Sequence, residues 1–363
     1  MKKFLKILLK ILKWLGIVLL SVVVIALIVR FIGRKIYNKT PEGGINEEMY
    51  IDVNGQEQWI NIYGEDRDNP VMLYLHGGPG CATSFGDWVV LRKLAGDYTI
   101  VSWDQRNCGK TWLNDPQDKT ITPDILRSDL LAVAEYILEY TGKEKLTLLG
   151  NSWGSIYGCD FALEHPEYVE CIINTSLVVD ELESQKAQKD FFLEWSENDP
   201  EYHALAEKFD ANFNMTEENN EIFFKLADKY TKDGHIPDEG YSSGDVSLAK
   251  AVFFNPYYSI GDLLGTLKFY SADNGMDIYM ELIYHGGLYQ SFTIKDKIKY
   301  EMPIYILEGN KDYQAVHTVA EEYYQRISAP DKEFRYIDGG HMSTMLQSEE
   351  LAEFVHEIKE KSR

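Results

Sequence analysis

The pentapeptide Gly-Asn-Ser-Trp-Gly at residues 150–154 is the feature that most constrains how this chain can fold. It follows a short apolar run at 146–149 and opens a helix-compatible stretch from Trp153 to Glu164. A turn this sharp makes the side chains two before and two after Ser152 collide unless both positions are glycine. The pattern therefore predicts a strand, a strained turn and a helix, with the hydroxyl of Ser152 exposed beside the first N–H groups of the helix.

A glycine pair follows an earlier predicted strand, where the apolar run 71–75 leads into His76-Gly-Gly-Pro-Gly80. Such a pair can turn a backbone N–H towards Ser152. Acyl transfer requires two N–H donors, because negative charge develops on the former carbonyl oxygen. We expect one donor to be Trp153 and the other to be Gly78, or else Gly77. The alternative interpretation of the glycine pair is a Gly/Pro turn without chemistry.

Two later strands each end in a loop that carries one titratable residue. Residues 304–308 precede Asp312, and residues 334–337 precede His341. The interval between the two loops holds one predicted helix, 319–327, and one strand, so both loops should reach the same edge of the sheet. The chain order serine, aspartate, histidine is the order found in α/β-hydrolases.

Together these motifs resemble those of the proline iminopeptidase family of α/β-hydrolases. The segments that carry the resemblance are HGGPG at 76–80, DQRNCGKT at 104–111, GNSWG at 150–154, GNKD at 309–312 and GGHM at 339–342. The resemblance covers residues 50–180 and 300–360. The family more often has glycine at position 107 and Arg-Ser at 110–111, where this chain has Asn107 and Lys110-Thr111.

The resemblance implies a role for each candidate residue. Ser152 would be the nucleophile, Asp312 the orienting acid and His341 the general base. Trp153 and Gly78 fall on the positions of the family's oxyanion hole. The family's chemistry implies neither a metal nor an organic cofactor, so we expect none.

Other residues remain alternatives for these roles. Asp180 ends the region of the sixth predicted strand, where some α/β-hydrolases carry the acid. His317 follows Asp312 closely in sequence and is an alternative base or a helix-facing residue. Asp104 and Arg106 are expected to form a local ion pair.

The alternation of strands and helices predicts an α/β fold with a mostly parallel, doubly wound sheet, namely the α/β-hydrolase fold. Residues 49–53 and 58–63 should form a hairpin around Asn54-Gly55, a strong two-residue turn signal. From 181 to 299 short apolar strands vanish, and acidic, aromatic-rich helical segments replace them. We therefore predict a helical lid inserted between the sixth and seventh strands.

The domain organisation follows from these patterns. Residues 1–40 form a basic N-terminus and a transmembrane anchor, and Thr40 to Gly44 forms a linker. Residues 41–180 and 300–363 form the hydrolase core, and residues 181–299 form the lid.

An aminopeptidase needs a carboxylate that binds the free ammonium group of its substrate. Members of the resembling family supply such carboxylates from the lid. The candidates here are Glu181, Glu183, Glu194 and Glu281, and the alternative for each is a solvated surface charge.

Charge excludes one class of partner. The 363 residues include 36 Lys and Arg against 58 Asp and Glu, for a net charge of −22. The first 40 residues hold nine of the basic residues and no acidic residue, so the rest of the chain carries −31. Such a body repels phosphate backbones, which argues against nucleic-acid binding.

The N-terminus carries a candidate membrane span. Residues 14–29 are uncharged and would form a helix about 24 Å long, and snorkelling of Arg30 with residues 31–33 extends it to about 30 Å. No small-x-small cleavage site follows, which favours a retained anchor over a cleaved signal peptide. Five basic residues precede the span and four follow it, which slightly favours a cytoplasmic N-terminus with the catalytic domain outside.

Cys81 and Cys108 both follow strands at the same edge of the predicted sheet. A disulfide between them is conceivable, and free packed thiols are the favoured alternative.

Three hypotheses of function remain. The first is a membrane-anchored serine aminopeptidase of proline iminopeptidase type, which acts on a small-molecule or short peptide substrate. The second is a carboxylesterase, lipase-like or lactone hydrolase, which the anchor and the aromatic lid favour. The third is a non-catalytic binding protein with a hydrolase fold, against which the intact Ser152, Asp312 and His341 argue.

Overall fold

The structure is a computed structural model that describes residues 2–116, 121–212, 216–232, 247–270 and 276–361. An eight-stranded sheet forms its centre. The strands are β1 Ile45–Val53, β2 Gln56–Gly64, β3 Val71–Leu75, β4 Thr99–Trp103, β5 Leu146–Asn151, β6 Val169–Thr175, β7 Ile304–Gly309 and β8 Lys332–Ile337.

The helices of the described residues are numbered in chain order. They are α1 Lys2–Tyr37, α2 Trp88–Leu91, α3 Gly109–Asn114, α4 Pro123–Thr141, α5 Trp153–Glu164, α6 Glu181–Trp195, α7 Pro200–Lys208, α8 Glu217–Lys232, α9 Leu248–Phe254, α10 Ile260–Phe269, α11 Met276–Tyr284, α12 Leu288–Ser291, α13 His317–Arg326, α14 Ser343–Leu346 and α15 Ser348–Lys361.

The strand order is β1-β2-β4-β3-β5-β6-β7-β8. The pairs β1–β2 and β2–β4 are antiparallel, and all the later pairs are parallel. Both faces of the central strands are buried, since Leu73 and Leu148 pack with apolar residues of α4 and α5, whereas Met72 and Leu149 pack with those of α15. The predicted α/β fold with a mostly parallel, doubly wound sheet is confirmed.

The N-terminal hairpin turns at Asn54-Gly55, as predicted. Both turn residues have positive φ, 49° and 81°, and Val53 pairs directly with Gln56. These angles suit the two-residue turns that match the twist of paired strands. The strands on either side are longer than predicted, because the pairing continues to Ile45 and Gly64.

Seven helices, α6 to α12, lie between β6 and β7 in the described part of the chain. Phe192, Phe209 and Tyr230 form an aromatic cluster among them, and this cluster includes Tyr313 from the loop after β7. The helical insertion therefore packs directly on the loop that carries Asp312. The division into a core of 41–180 and 300–363 and a lid of 181–299 stays a prediction.

Helix α1 is unbroken from Lys2 to Tyr37. By length and composition, Lys3–Tyr37 is able to cross a membrane as an anchor or to act as a signal sequence. Arg30, predicted to snorkel, is instead buried and donates hydrogen bonds to the carbonyls of Val252, Phe253 and Tyr258. A buried guanidinium needs such acceptors, so the end of α1 is docked on the body, which is the name used below for the chain from residue 41 onwards.

Arg106 pairs with Asp129 of α4, at 2.5 Å and 2.8 Å, and not with Asp104 as expected. Both side chains of the pair are buried. The carboxylate of Asp129 also accepts from Gln58, and the guanidinium donates to the carbonyl of Val53, which ties the hairpin to α4. The sequence could not identify this partner because α4 reaches the loop after β4 only in the folded chain.

Removing the carboxylate of this pair should destabilise the fold strongly. Asp129→Ala leaves the guanidinium of Arg106 buried without its ion-pair partner, and we expect the free energy of unfolding to fall by about 3–5 kcal/mol. Urea denaturation of the full chain measures this change. Lys186→Ala, which breaks the exposed pair between Lys186 and Glu183, is the control and should cost less than about 1 kcal/mol. Equal losses in the two variants would contradict the prediction.

Candidate active site

Ser152 occupies the sharp bend that joins β5 to α5. Its backbone angles are φ 52° and ψ −119°, a region that residues other than glycine rarely adopt. The N–H of Ser152 donates to the carbonyl of Thr175 on β6, at 3.0 Å. The bend therefore presents the side chain beyond the end of the strand, where the hydroxyl reaches the pocket described below.

The two glycines of the pentapeptide have no room for a side chain. A Cβ on Gly150 would lie 2.6 Å from the carbonyl oxygen of Gly154, and a Cβ on Gly154 would lie 1.9 Å from the carbonyl oxygen of Leu75. The helix start thus presses against both β5 and β3. This close approach is the steric reason for glycine at both positions.

Three side chains meet in a hydrogen-bonded series at the bend. His341 Nε2 lies 2.9 Å from Ser152 Oγ, and His341 Nδ1 lies 2.8 Å from Asp312 Oδ2. An ionised carboxylate can only accept, so Nδ1 carries the proton and Nε2 is left to accept from the serine hydroxyl. This arrangement can remove a proton from Ser152.

The carboxylate of Asp312 is buried and fully engaged. Its Oδ1 accepts from the backbone N–H groups of Gln314 and Ala315, at 2.8 Å and 3.0 Å. Its other oxygen is thereby left facing His341. The two loops also brace each other, since the N–H of Lys311 donates to the carbonyl of Gly339.

The predicted N–H donors lie close to Ser152. Trp153 is the first residue of α5, and the first N–H groups of a helix have no acceptor within the helix. Gly78 lines the same pocket as Ser152 and Trp153, and a Cβ on Gly77 would lie 3.3 Å from Ser152 Cβ. Both glycines of the pair therefore remain candidates beside Trp153.

Gln105 supports this corner of the site, although the sequence interpretation missed it. Its side-chain oxygen accepts from the indole N–H of Trp153, at 3.2 Å. Its neighbour His76 is buried, and burial lowers the pKa of that imidazole to about 4, so His76 is neutral. The signal that could have found Gln105 was its place in the DQR segment directly after a buried strand.

The alternative acid and base lie elsewhere. Asp180 caps α6, where it accepts from the N–H of Glu183 and from the hydroxyl of Thr293. His317 begins α13, and its ring lies 3.3 Å from the hydroxyl of Tyr336. Each side chain is occupied by a local structural contact.

A pocket of about 300 Å³ opens over Ser152 and His341. The helices between β6 and β7 supply most of its wall. The lining comprises Gly78, Ser152, Trp153, Val178, Glu181, Gln185, Gln188, Phe209, Asn220, Phe223, Phe224, Met280, Ile283, Tyr289, Gln314, Ala315 and His341. Apolar walls with several amide groups and one acidic side chain can hold a compact ligand that carries a positive charge.

Glu181 is that acidic side chain. Burial raises the pKa of its carboxyl to about 7. A hydrogen bond from Gln185 lowers the pKa, but burial has the larger effect. The charge of Asp180 adds to the increase. A cation bound beside Glu181 would stabilise the carboxylate form and lower this pKa.

The other three candidate glutamates are not among the described residues that line this pocket, and their assignment as substrate-binding residues stays a prediction. Glu183 pairs with Lys186 at 3.1 Å and lies 3.8 Å from Lys295. Glu194 and Glu281 are exposed on α6 and α11. Their side chains project from other faces of these helices, and the sequence does not fix how a lid helix is rotated against the core.

Glu308 is a buried acid that the sequence interpretation also missed. It is the last residue but one of β7 and lies beside Asp312, and its Oε2 accepts from the N–H of Leu177 at 2.9 Å. Burial and then the charge of Asp312 hold the pKa of Glu308 well above its usual range. Both causes favour the neutral form of the Glu308 carboxyl.

All four cysteines are free thiols, so the conceivable disulfide between Cys81 and Cys108 is absent. Burial raises the pKa of Cys81 to about 11 and that of Cys108 well above its usual value. Both thiols are therefore protonated and unsuited to nucleophilic chemistry.

Comparison with known proteins gives a consistent result. Residues 70–347 match the family model described as the alpha/beta hydrolase fold. The chain is 24% identical over 295 residues to "Probable aminopeptidase YbaC" of Bacillus subtilis (strain 168), covering 80% of this chain and 89% of that protein. It is 33% identical over 128 residues to a proline iminopeptidase of Lactobacillus helveticus, covering 34% of this chain and 40% of that protein.

Among solved structures, a proline iminopeptidase of Mycobacterium smegmatis aligns with a TM-score of 0.56 and 17% identity. The alignment covers 87% of this chain and all of that chain. At this identity the likeness concerns the fold alone.

A side chain at position 154 should disrupt the bend. In Gly154→Ala the new methyl group meets the carbonyl of Leu75, and overpacking of this kind costs about 1–3 kcal/mol. The protein should stay folded, but Ser152 should react with a fluorophosphonate probe at least about tenfold more slowly. The matched control is Gly261→Ala, where the Cβ meets only Ser259 Oγ at 3.4 Å. Wild-type labelling of Gly154→Ala would refute the steric argument.

Proposed function

This chain belongs to the alpha/beta hydrolase fold family, and on that premise we propose that it is a membrane-anchored serine aminopeptidase of proline iminopeptidase type. It would release an N-terminal residue from a short peptide or an amide through an acyl-enzyme. One observation carries the proposal: the series Ser152–His341–Asp312 opens into the pocket that also holds Glu181.

Acyl transfer proceeds in two steps at this site. His341 Nε2 takes the proton of Ser152 as Oγ attacks the substrate carbonyl, and Asp312 stabilises the imidazolium. The N–H groups of Trp153 and of Gly78 or Gly77 donate to the oxyanion. His341 then protonates the departing amine, and it activates the water that hydrolyses the acyl-enzyme.

Glu181 would select substrates with a free N-terminus. It is the acidic side chain in the pocket lining, and an ammonium group paired with it would lie in the same pocket as Ser152. The apolar residues around it, including Val178, Met280 and Ile283, suit a compact ring such as that of proline.

The anchor would be α1. We propose a single-pass arrangement in the cell membrane with a cytoplasmic N-terminus and the catalytic domain outside, from the length of the apolar helix and the distribution of basic residues.

The first experiment compares substrates on the full chain in detergent. We expect hydrolysis of a prolyl arylamide with a free amine, and we expect Ser152→Ala to lower kcat by at least about 10³-fold because the acyl-enzyme cannot form. Release of the arylamine is followed by absorbance. Cleavage of a short-chain acyl ester alone would instead indicate an esterase. Failure of a fluorophosphonate probe to label Ser152 would indicate a non-catalytic binding protein.

The second experiment tests the amine site. Glu181→Gln should raise KM for the prolyl arylamide by about 10- to 100-fold, the value of one charge-assisted hydrogen bond, and leave kcat on an N-blocked ester within about twofold. Glu183→Gln is the matched control, on the same helix and outside the pocket, and should change neither value. Equal loss on both substrates would contradict the assignment.

The pH dependence gives an independent check of the same residue. The carboxylate of Glu181 is lost as pH falls through its raised pKa of about 7, so KM for the free-amine substrate should rise below that pH in the wild type. The Gln variant lacks this titration, and its KM should vary less over the same range.

A further inference from the structure

Helix α10 carries an apolar stripe on its outer face. Ile260, Leu264 and Leu267 are 46%, 62% and 68% exposed. Their spacing of four and three residues places them on one side of the helix. The other side faces inwards, where Thr266 and Phe269 are buried, and Leu263 at the flank of the stripe packs on the aromatic cluster around Trp88. These three large aliphatic side chains form one exposed apolar stripe.

The stripe begins where α1 meets the body. Arg30 donates to the carbonyl of Tyr258 at 2.7 Å, and Arg34 donates to that of Pro256 at 2.8 Å. Tyr258 precedes Ile260 by two residues, so the backbone at the start of α10 lies within about 10 Å of the guanidinium of Arg30. The apolar stripe is therefore fixed beside the helix that is long enough to cross a membrane.

The apolar surface of α1 also continues past Arg30. Phe31, Ile32 and Ile36 are exposed along the part of α1 that contacts residues 252–258. Exposed apolar area of this kind costs about 25 cal/mol per Å² in water. Two neighbouring elements thus present apolar side chains at the same end of the body.

The segment 248–269 differs in charge from the rest of the chain. Residues 248–269 contain Lys250 and Lys268 and only one acid, Asp262, in a body that carries −31 overall. The carboxylate of Asp262 accepts from the N–H of Ser259 in the capping box of α10. Lysines beside an apolar helix face suit the boundary between acyl chains and anionic lipid headgroups.

We propose that α10 lies in the interfacial layer of the same bilayer that α1 crosses, with Ile260, Leu264 and Leu267 inserted below the headgroups. This inference rests on the proposed anchoring by α1 and adds a second contact, made by the lid. The lipid surface would cover the stripe, because the helix that crosses the bilayer, α1, contacts the residues directly before α10. The lid would then be held against the membrane, and the orientation of the whole body would be fixed by two elements.

The test measures depth in the membrane for the full chain in nanodiscs that contain anionic lipid. A fluorescent non-canonical amino acid replaces Leu264 or, in a second variant, Leu267, and a quencher is attached to the acyl chain near the headgroup. A probe at Leu19 in α1 reports the anchor itself. A probe at Tyr336 on β8 is the water-exposed control, since seven strand spacings separate β8 from β1, or about 33 Å.

We expect quenching at Leu264 and Leu267 to exceed that at Tyr336 by about threefold or more, since interfacial helices insert about 5–10 Å. Strong quenching at Leu19 with Leu264 and Leu267 at the level of Tyr336 would overturn the inference and leave the anchor intact. An unquenched probe at Leu19 would overturn both the anchor and the inference. Fluorophosphonate labelling of Ser152 verifies that each labelled variant is folded.

Discussion

The backbone bend at Ser152 is the constraint on which the rest of the site depends. A residue other than glycine in such a sparsely populated region costs on the order of 1–3 kcal/mol, and the surroundings must enforce it. The N–H of Ser152 is held by Thr175 on the neighbouring strand, and Gly154 presses against the carbonyl of Leu75. Because β3, β5 and β6 are interior strands of the sheet, the strain is supported by the most buried part of the fold.

The bend also determines where charge must be placed. A serine hydroxyl fixed at the edge of the sheet can meet a histidine only from a loop at that same edge, and β8 supplies His341 there. The imidazole in turn needs an acceptor on its far side. Glu308 near the end of β7 and Asp312 in the loop after it lie beside each other, and two such neighbours cannot both ionise freely. Burial and the charge of Asp312 favour the neutral form of Glu308, and Asp312 Oδ2 faces His341 Nδ1.

The sequence predicted those features that depend on local patterns. The sharp bend at Ser152 follows from the glycine spacing between a strand and a helix, and the mostly parallel, doubly wound sheet follows from the alternation of strands and helices. The three residues of the hydrogen-bonded series were identified because each follows an apolar strand. What could not be predicted depends on contacts between distant segments. The rotation of α6 places Glu181 in the pocket and Glu183 outside it, and no periodicity within that helix distinguishes the two.

The contact between α1 and the body is a second feature that the sequence could not predict, because it joins segments that are distant in the chain. Residues 40–44 look like a linker, and a linker would let the two parts move independently. In space they are joined, because the buried guanidinium of Arg30 donates to backbone carbonyls of the segment that leads to α10. Tyr258 of that segment reaches the core, where its hydroxyl contacts Ser84 and Asp104 at 2.6 Å and 3.3 Å. Moving α1 away would remove the guanidinium from which these backbone carbonyls accept hydrogen bonds. Hydrogen bonds therefore connect the helix, the lid segment and the loop after β4 in one continuous series.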